Sequence, residues 1–449
     1  MSTVDGPTDT APAGNESRPH DRAASLDGEQ AAAYLRPNAG RQVSRPRPGR
    51  RQEGGSRAAS GGLADGPLGT TTEFVSPPQA KTPSDLQERD DDYTAWSRRR
   101  LRIELRRIIW SITTVRRLSA CGKVIAQDSE KVTIKVKNGT AYAAGLCVCG
   151  SIWLCPVCSA KIRARRADEI ARGVAKHIVG GGSAWMVTFT VRHAKGHALA
   201  DLLDALNDAF RRLGNGKAAQ KEKARVGKVG TINSREITYG KNGWHPHLHV
   251  IVLFDGSPDL VELGKLMVRW RNLWMDWSKR HGFPADEKHG VKWDMVTTAE
   301  GAGEYIAKAQ DSGKHIGNEV ARGDLKRGKL GSLTPFELIE YLQKTGDAAV
   351  VDLWREYEKA TKHKAAISWS RGLKALLSVE DTTDEQLAAA DVDGEDVAEL
   401  PEASWKLIVQ HGIEADVFEA IETGGFPALV KLLTAHHIWA VKRLGPEVD

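Results

Sequence analysis

The chain has no run of eighteen apolar residues, and its opening MSTVDGPTDT lacks the basic-then-apolar order of a signal peptide. These absences exclude spanning helices and a secretory leader, so a cytoplasmic protein without a membrane partner is expected. Cysteine is scarce: five in 449 residues, four of them between Cys147 and Cys158. An odd, crowded set in a reducing compartment speaks against a disulfide framework and for metal ligation. Aromatic residues are almost missing from residues 1–88, where Tyr34 and Phe74 stand alone among Gly, Pro, Ser, Ala, Arg and Asp. Such a stretch cannot bury enough surface to offset its ordering entropy and is expected to be a disordered tail. Neither charge sign dominates at a formal +6, so partners must be judged from where the charges lie.

The remainder is long enough for two or three domains. A basic helix with a cysteine module is expected over 89–180 and an alternating strand–helix core over 181–312. A basic helical extension over 313–379, an acidic linker over 380–403 and a small C-terminal helical segment over 404–449 follow. Within AWSRRRLRIELRRIIW, Leu101, Ile103, Leu105, Ile108 and Ile109 among six arginines mark a partly amphipathic helix. In the core, AWMVTFTVRH reads as a strand, and Leu202, Leu206, Ala209 and Leu213 as a helix. TINSREITY and WHPHLHVIVLF form a hairpin around Gly240-Lys241-Asn242-Gly243. Leu263, Leu266, Met267, Trp270, Trp274 and Trp277 recur at helical spacing, and these tryptophans read as core. GVKWDMVT adds a strand and EGAGEYIAKAQ a helix. The βαββαβα order predicts an α+β fold: a central antiparallel sheet with helices on one face, the other face free for a site. Downstream, Thr334, Pro335 and Glu337 announce a helix start.

Histidines 245, 247 and 249 alternate in GWHPHLHVIVLF. On a strand they share one face, while Pro246, Leu248, Val250, Val252 and Phe254 face the helices. Two imidazoles on one rigid strand make a clamp for a divalent metal. The hairpin adds Glu236. A Lys241-Asn242 loop sets it across from His247, an Asn242-Gly243 loop across from His249, and either way its carboxylate joins the ligand face. Imidazole and carboxylate together suit Mg²⁺ or Mn²⁺.

These residues resemble the plasmid rolling-circle replication initiators of the HUH endonuclease superfamily, over roughly Cys121 to Leu377. VTFTVRH is similar to the family's first motif, REITYGKNGWHPHLHVIVLF to its metal-binding motif, and EYIAKAQ to its tyrosine helix. The resemblance implies an HUH-type core, His247 and His249 as metal ligands, and Tyr305 as the nucleophile of a single-strand DNA nicking and joining enzyme that forms a 5′-phosphotyrosine. It leaves His245 unassigned. Lys308, three residues beyond Tyr305, shares its helical face and can favour the phenolate. Members carry a glutamate four residues before the tyrosine for the terminating step. This chain has Gly301 there; Glu300 and Glu304 flank the place, and Glu300, near the helix start where local geometry is least fixed, is preferred.

The run Cys149-x5-Cys155-Pro-Val-Cys158 carries the CPxC step of zinc ribbons, and a Cys₄ zinc site of four thiolates with no open position would be structural. Cys121, Cys149, Cys155 and Cys158 are preferred, because the Cys121-Gly122 and Cys149-Gly150 steps let the backbone turn around an ion and family members resemble this arrangement. Proximity alone would replace Cys121 by Cys147. In the following helix Arg163, Arg165 and Arg166 are expected to be open to solvent and to contact DNA phosphates. Single-stranded origin DNA is the expected substrate. No G-x-x-x-x-G-K-[ST] occurs, so a host helicase is expected beside a DNA polymerase. An HUH-type transposase or relaxase, or a non-catalytic zinc-dependent DNA-binding regulator, are the competing readings.

Overall fold

The computed structural model describes residues 95–297, 331–390 and 393–444, so the tail expected over 1–88 lies outside the described residues. The chain begins with α1 (Ala95–Ile112), α2 (Arg116–Ser119), β1 (Lys131–Lys137), β2 (Thr140–Ala144) and the long α3 (Pro156–Val179). Then come β3 (Ser183–Thr190), α4 (Leu199–Leu213), α5 (Gly216–Arg225), β4 (Lys228–Gly240), β5 (Gly243–Phe254), α6 (Leu260–Arg280) and β6 (Val291–Thr297). Beyond residue 330 lie α7 (Pro335–Thr345), α8 (Ala349–Thr361), β7 (Ile367–Trp369), α9 (Leu373–Leu376) and α10 (Asp384–Ala389). β8 (Glu395–Pro401), α11 (Glu402–His411), α12 (Glu414–Ala435) and β9 (Lys442–Arg443) complete it.

Two antiparallel sheets result, in strand orders β6-β3-β5-β4-β7 and β2-β1-β8-β9. In the larger sheet, Leu248, Val250, Val252 and Phe254 of β5 face the same core as α4 and α6. α4 presents Leu202, Leu206, Ala209 and Leu213 at helical spacing, and α6 starts where Asp259 Oδ1 accepts the Val261 and Glu262 amides. Trp270 and Trp274 are fully buried in this layer, Trp274 with its ring centroid 4.7 Å from that of Phe189 and its Nε1 donating to Thr190 O. Truncating either to alanine would cost about 3–5 kcal/mol. Trp277, expected beside them, is only half-buried and lies between the guanidiniums of Arg212 and Arg280, at 4.2 and 4.7 Å.

The second face of this sheet is not left free, as expected from the pattern. Ala167, Ile170, Val174 and Ile178 of α3 pack on Ala184, Ile232, Ile251 and Leu253, joined by Leu373 and Leu377. The reason lies in β5 itself: past His249 its residues are apolar on both faces, and a strand apolar on both faces needs cover on both. Half of the face therefore belongs to α3 and half to the histidines.

Residues 380–403, expected as an acidic linker, are built into the fold. Thr383 and Gln386 form a capping box at α10, and β8 pairs with β1 from Lys131↔Pro401 to Val136↔Glu395. The acidic residues occupy the outer face of β8, where Lys131 meets Glu399 and Lys135 meets Asp396, while Ala398 and Leu400 turn inward. Nor is the C-terminal part an appended helical segment, since α11, α12 and β8 share one core with Ile103, Val132 and Ile134. The basic helix α1 runs between that core and the core of the larger sheet. Its Arg99, Arg100 and Arg107 pair with Glu422, Asp416 and Glu414 of α12.

Candidate metal centres and the DNA-facing residues

The β4–β5 hairpin closes through Lys241-Asn242, since Gly240 pairs with Gly243, and this places Glu236 opposite His247 in the backbone register. The carboxylate reaches one position along the strand instead: Glu236 Oε2 lies 3.1 Å from His249 Nε2. A carboxylate only accepts, so Nε2 donates. On the other side of β5, Thr188 pairs with His249 and its Oγ1 lies 3.2 Å from His249 Nδ1. His249 is thus gripped from both neighbouring strands.

The other imidazoles form a ladder. Ring centroids of His245 and His247 are 4.0 Å apart, and His193, just beyond β3, stacks on His245 at 4.2 Å. Burial pushes the His247 imidazole down to about 3 and the His245 imidazole down to about 4, with neighbouring histidines adding to the effect. Both rings are therefore neutral at pH 7, with lone pairs available to a cation. His247 Nδ1 is buried without a hydrogen-bond partner among the described residues. Neutral imidazoles, a carboxylate and threonine hydroxyls form a donor set suited to Mg²⁺ or Mn²⁺. A cation between His249 and Glu236 would take the place of their shared proton.

The cysteines are gathered more tightly. Sγ atoms of Cys121, Cys149, Cys155 and Cys158 all lie within 4.8 Å of one another, and among the described residues this is the one group of three or more such ligands so arranged. Three of the separations are 3.7 Å (Cys121–Cys155), 3.6 Å (Cys121–Cys158) and 3.6 Å (Cys149–Cys158). A tetrahedron of sulfurs about 2.3 Å from zinc has edges of about 3.8 Å. The cluster therefore has the dimensions of a tetrathiolate zinc site.

Local sequence builds it. Gly122 and Gly150 have φ of +70° and +65°, so each Cys-Gly step turns where a side chain would be strained. Cys155 caps α3, its Sγ accepting from Cys158 N at 3.4 Å, and Cys149 N donates to Cys121 Sγ at 3.4 Å. Cys147 is elsewhere, its Sγ donating to Ile125 O. Four thiols this close cannot all ionise without a cation. Hydrogen bonds with Cys149, Cys155 and Cys158, aided by the charge of Arg106, hold the Cys121 thiol far below its ordinary range against its burial, while burial pushes Cys155 well above it.

Of the three arginines expected at solvent, Arg165 alone keeps a partly exposed side chain. Arg163 is buried, donating to Ser159 Oγ at 3.1 Å with its guanidinium 5.9 Å from the Trp153 ring. Arg166 is buried between Glu169 and Asp384, each at 2.7 Å, and also donates to Thr382 O. The expectation of open phosphate contacts is corrected for these two: their partners come from the acidic stretch and from α3 itself. Glu300, Tyr305 and Lys308 lie outside the described residues.

Two contributors escaped the sequence reading, Thr188 and His193, both within VTFTVRH. The available signal was the period-two Thr188 and Thr190, which places both on the histidine face once the strands are paired.

A family model described as "Replication protein" matches residues 143–284, from β2 to just beyond α6, covering three of the clustered cysteines and the whole hairpin. The chain is 35% identical, over 371 aligned residues, to the protein named "Protein rep" of Streptomyces lividans, covering 68% of this chain and 79% of that protein. It is 38% identical over 157 residues to a protein of Streptomyces cyanogenus named "Neomycin resistance protein", covering 29% of this chain and 36% of that one. No solved structure matches. A five-stranded antiparallel sheet carrying a histidine hairpin, together with a cysteine cluster, is, on these likenesses, that of a DNA-binding replication protein. The chain belongs to the plasmid Rep family and is a plasmid replication initiator. Among the described residues no helix is long and apolar enough to cross a membrane.

Proposed function

We propose that this initiator nicks and rejoins one DNA strand at the plasmid origin, by HUH-type chemistry with Tyr305 as nucleophile. The observation that carries the reading is the imidazole face of β5, with His247 and His249 on one side of the strand and Glu236 reaching across from β4. A divalent cation held by these three would supply positive charge against a non-bridging phosphate oxygen. The stack of His193 and His245 walls one end of this face and α3 covers the other, which limits water around the reacting group.

The described residues on either side of Tyr305 support its assignment. Thr297 lies on the edge strand β6, paired with Ala184, and Leu333 bridges Tyr239 of β4, so the described residues that flank Tyr305 in sequence are attached to the sheet on either side of β5. In the proposed step the Tyr305 phenolate, favoured by Lys308, attacks phosphorus. The bond from phosphorus to the 3′ oxygen breaks, that oxygen takes up the proton, and the products are a 5′-phosphotyrosine and a free 3′-hydroxyl. The hydroxyl then serves as primer for a host polymerase, with strand separation left to a host helicase. Glu300 is assigned the activation of water at termination, and Cys121, Cys149, Cys155 and Cys158 hold a structural zinc ion. Single-stranded DNA fits the reading because one phosphate must enter a face bounded on both sides.

A single-stranded origin oligonucleotide incubated with the protein and Mn²⁺ tests this. Wild-type protein should cut it and keep the 5′ end covalently, whereas Tyr305→Phe should bind within about threefold of wild type and form no adduct. An adduct that persists in Tyr305→Phe removes that residue from the reaction. An oligonucleotide shifted but left intact by the wild-type protein would make the chain a regulator without catalysis.

A further inference from the structure

Arg106 sits in the middle of α1 with 7% of its surface exposed. Unlike Arg99, Arg100 and Arg107 on the same helix, it has no carboxylate within ion-pair distance among the described residues, and its Nε is buried without a partner. A buried guanidinium with no anion is strongly destabilising, so the fold must supply negative charge from another source. The guanidinium lies flat against the Cys121-Gly122 turn: a methyl group built on Gly122 would come 2.0 Å from Arg106 Nη1. The Trp110 ring centroid is 5.3 Å from Arg106 Cζ, and Trp110 donates from Nε1 to Cys121 O at 3.1 Å. Trp405 Nε1 donates to Gly122 O at 3.3 Å. The whole turn that presents Cys121 is thus wedged between an unpaired cation and two indoles.

Four thiolates around a divalent ion leave a net charge of minus two in a buried site. We infer that Arg106 is the counter-cation of the metal-loaded cysteine cluster, a positioning residue that acts through the Cys121-Gly122 turn. This rests on the zinc reading of the cluster. It explains why Gly122 has no side chain, since any would displace the guanidinium, and why Arg106, unlike Arg99, Arg100 and Arg107, meets no carboxylate among the described residues.

The test compares full-length wild-type protein with Arg106→Met, Arg106→Gln, Arg106→Lys and, as a control for charge lost elsewhere on α1, Arg100→Met. The two neutral replacements guard against loss of fold in one of them, checked by circular dichroism. Transfer of zinc to a chromogenic chelator should be at least tenfold faster from the neutral variants, within threefold of wild type from Arg106→Lys, and unchanged in Arg100→Met. In cobalt-loaded protein the thiolate-to-metal charge-transfer band should move to lower energy in the neutral variants and stay in place in Arg106→Lys. Wild-type release rates and an unmoved band in a folded neutral variant would overturn the role of Arg106. Wild-type protein that retains no zinc would overturn the zinc reading on which it rests.

Discussion

The histidine face and the cysteine cluster are both sets of metal-ligating side chains, yet the fold prepares them differently. The cysteine sulfurs stand at the spacing of a tetrahedron, on turns made by Gly122 and Gly150 and on the capped start of α3. The histidines are carried by one strand, one of them tied by hydrogen bonds to Thr188 and Glu236, another with a buried ring nitrogen that has no partner among the described residues. A cluster assembled from three separate loops adds stability only when something binds all three together. A face laid along a strand exists whether or not anything binds it. On the proposed reading, the difference separates a centre that holds the fold from one that the fold holds out to a substrate.

Substitutions in the two centres should therefore fail in different ways. His247→Ala is expected to lower metal-dependent cleavage of an origin oligonucleotide on the order of 10²–10³-fold. Its urea unfolding should stay within about 1 kcal/mol of wild type, and a large fall in stability would make His247 structural. Cys158→Ser is expected to lose about 3 kcal/mol or more of unfolding free energy, with cleavage falling in parallel and zinc content dropping to zero. Full stability in that variant would strip the cysteines of their role. Thr188→Val keeps a β-branched residue in β3 but removes the hydroxyl from His249 Nδ1, so divalent-cation affinity, read by titrating Mn²⁺ against cleavage, should weaken about tenfold. An unchanged titration would show that Glu236 alone orients the ring. The smallest effect is expected at Arg165→Ala, which should weaken DNA binding a few-fold and lower its salt slope by about one. The same slope in the variant would place the DNA elsewhere.

Much of this was legible because it follows from short-range geometry. Period two put His245, His247 and His249 on one face, and the hairpin put Glu236 beside them whichever two-residue loop closed it. The choice of Cys121 over Cys147 rested on the glycine that succeeds it together with the family resemblance, and the φ of Gly122 gives the physical reason for the first. What escaped depends on tertiary contacts that the local pattern does not show. Arg163 and Arg166 look solvated until Trp153 and Asp384 are brought against them, more than two hundred residues away in the second case. The acidic stretch read as a linker because its carboxylates outnumber Ala398 and Leu400, and nothing local says that lysines of β1 will face them. The apolar run from Val250 to Phe254 did carry a signal of burial on both faces. The three histidines at period two mark the other face as open, and only the packing of α3 on Ile251 and Leu253 shows where that opening ends.

Strand β8 lies between β1 and β9, so the edge of β1 stays unpaired until residues 395–401 have been synthesised. About 260 residues must leave the ribosome between the two halves of that pairing, and contacts of such long range close late. A nascent or truncated chain would thus carry the histidine hairpin while lacking the Trp405 indole that holds the Cys121-Gly122 turn. The smaller sheet is therefore whole only when residues 131–144 and 395–443 are both present.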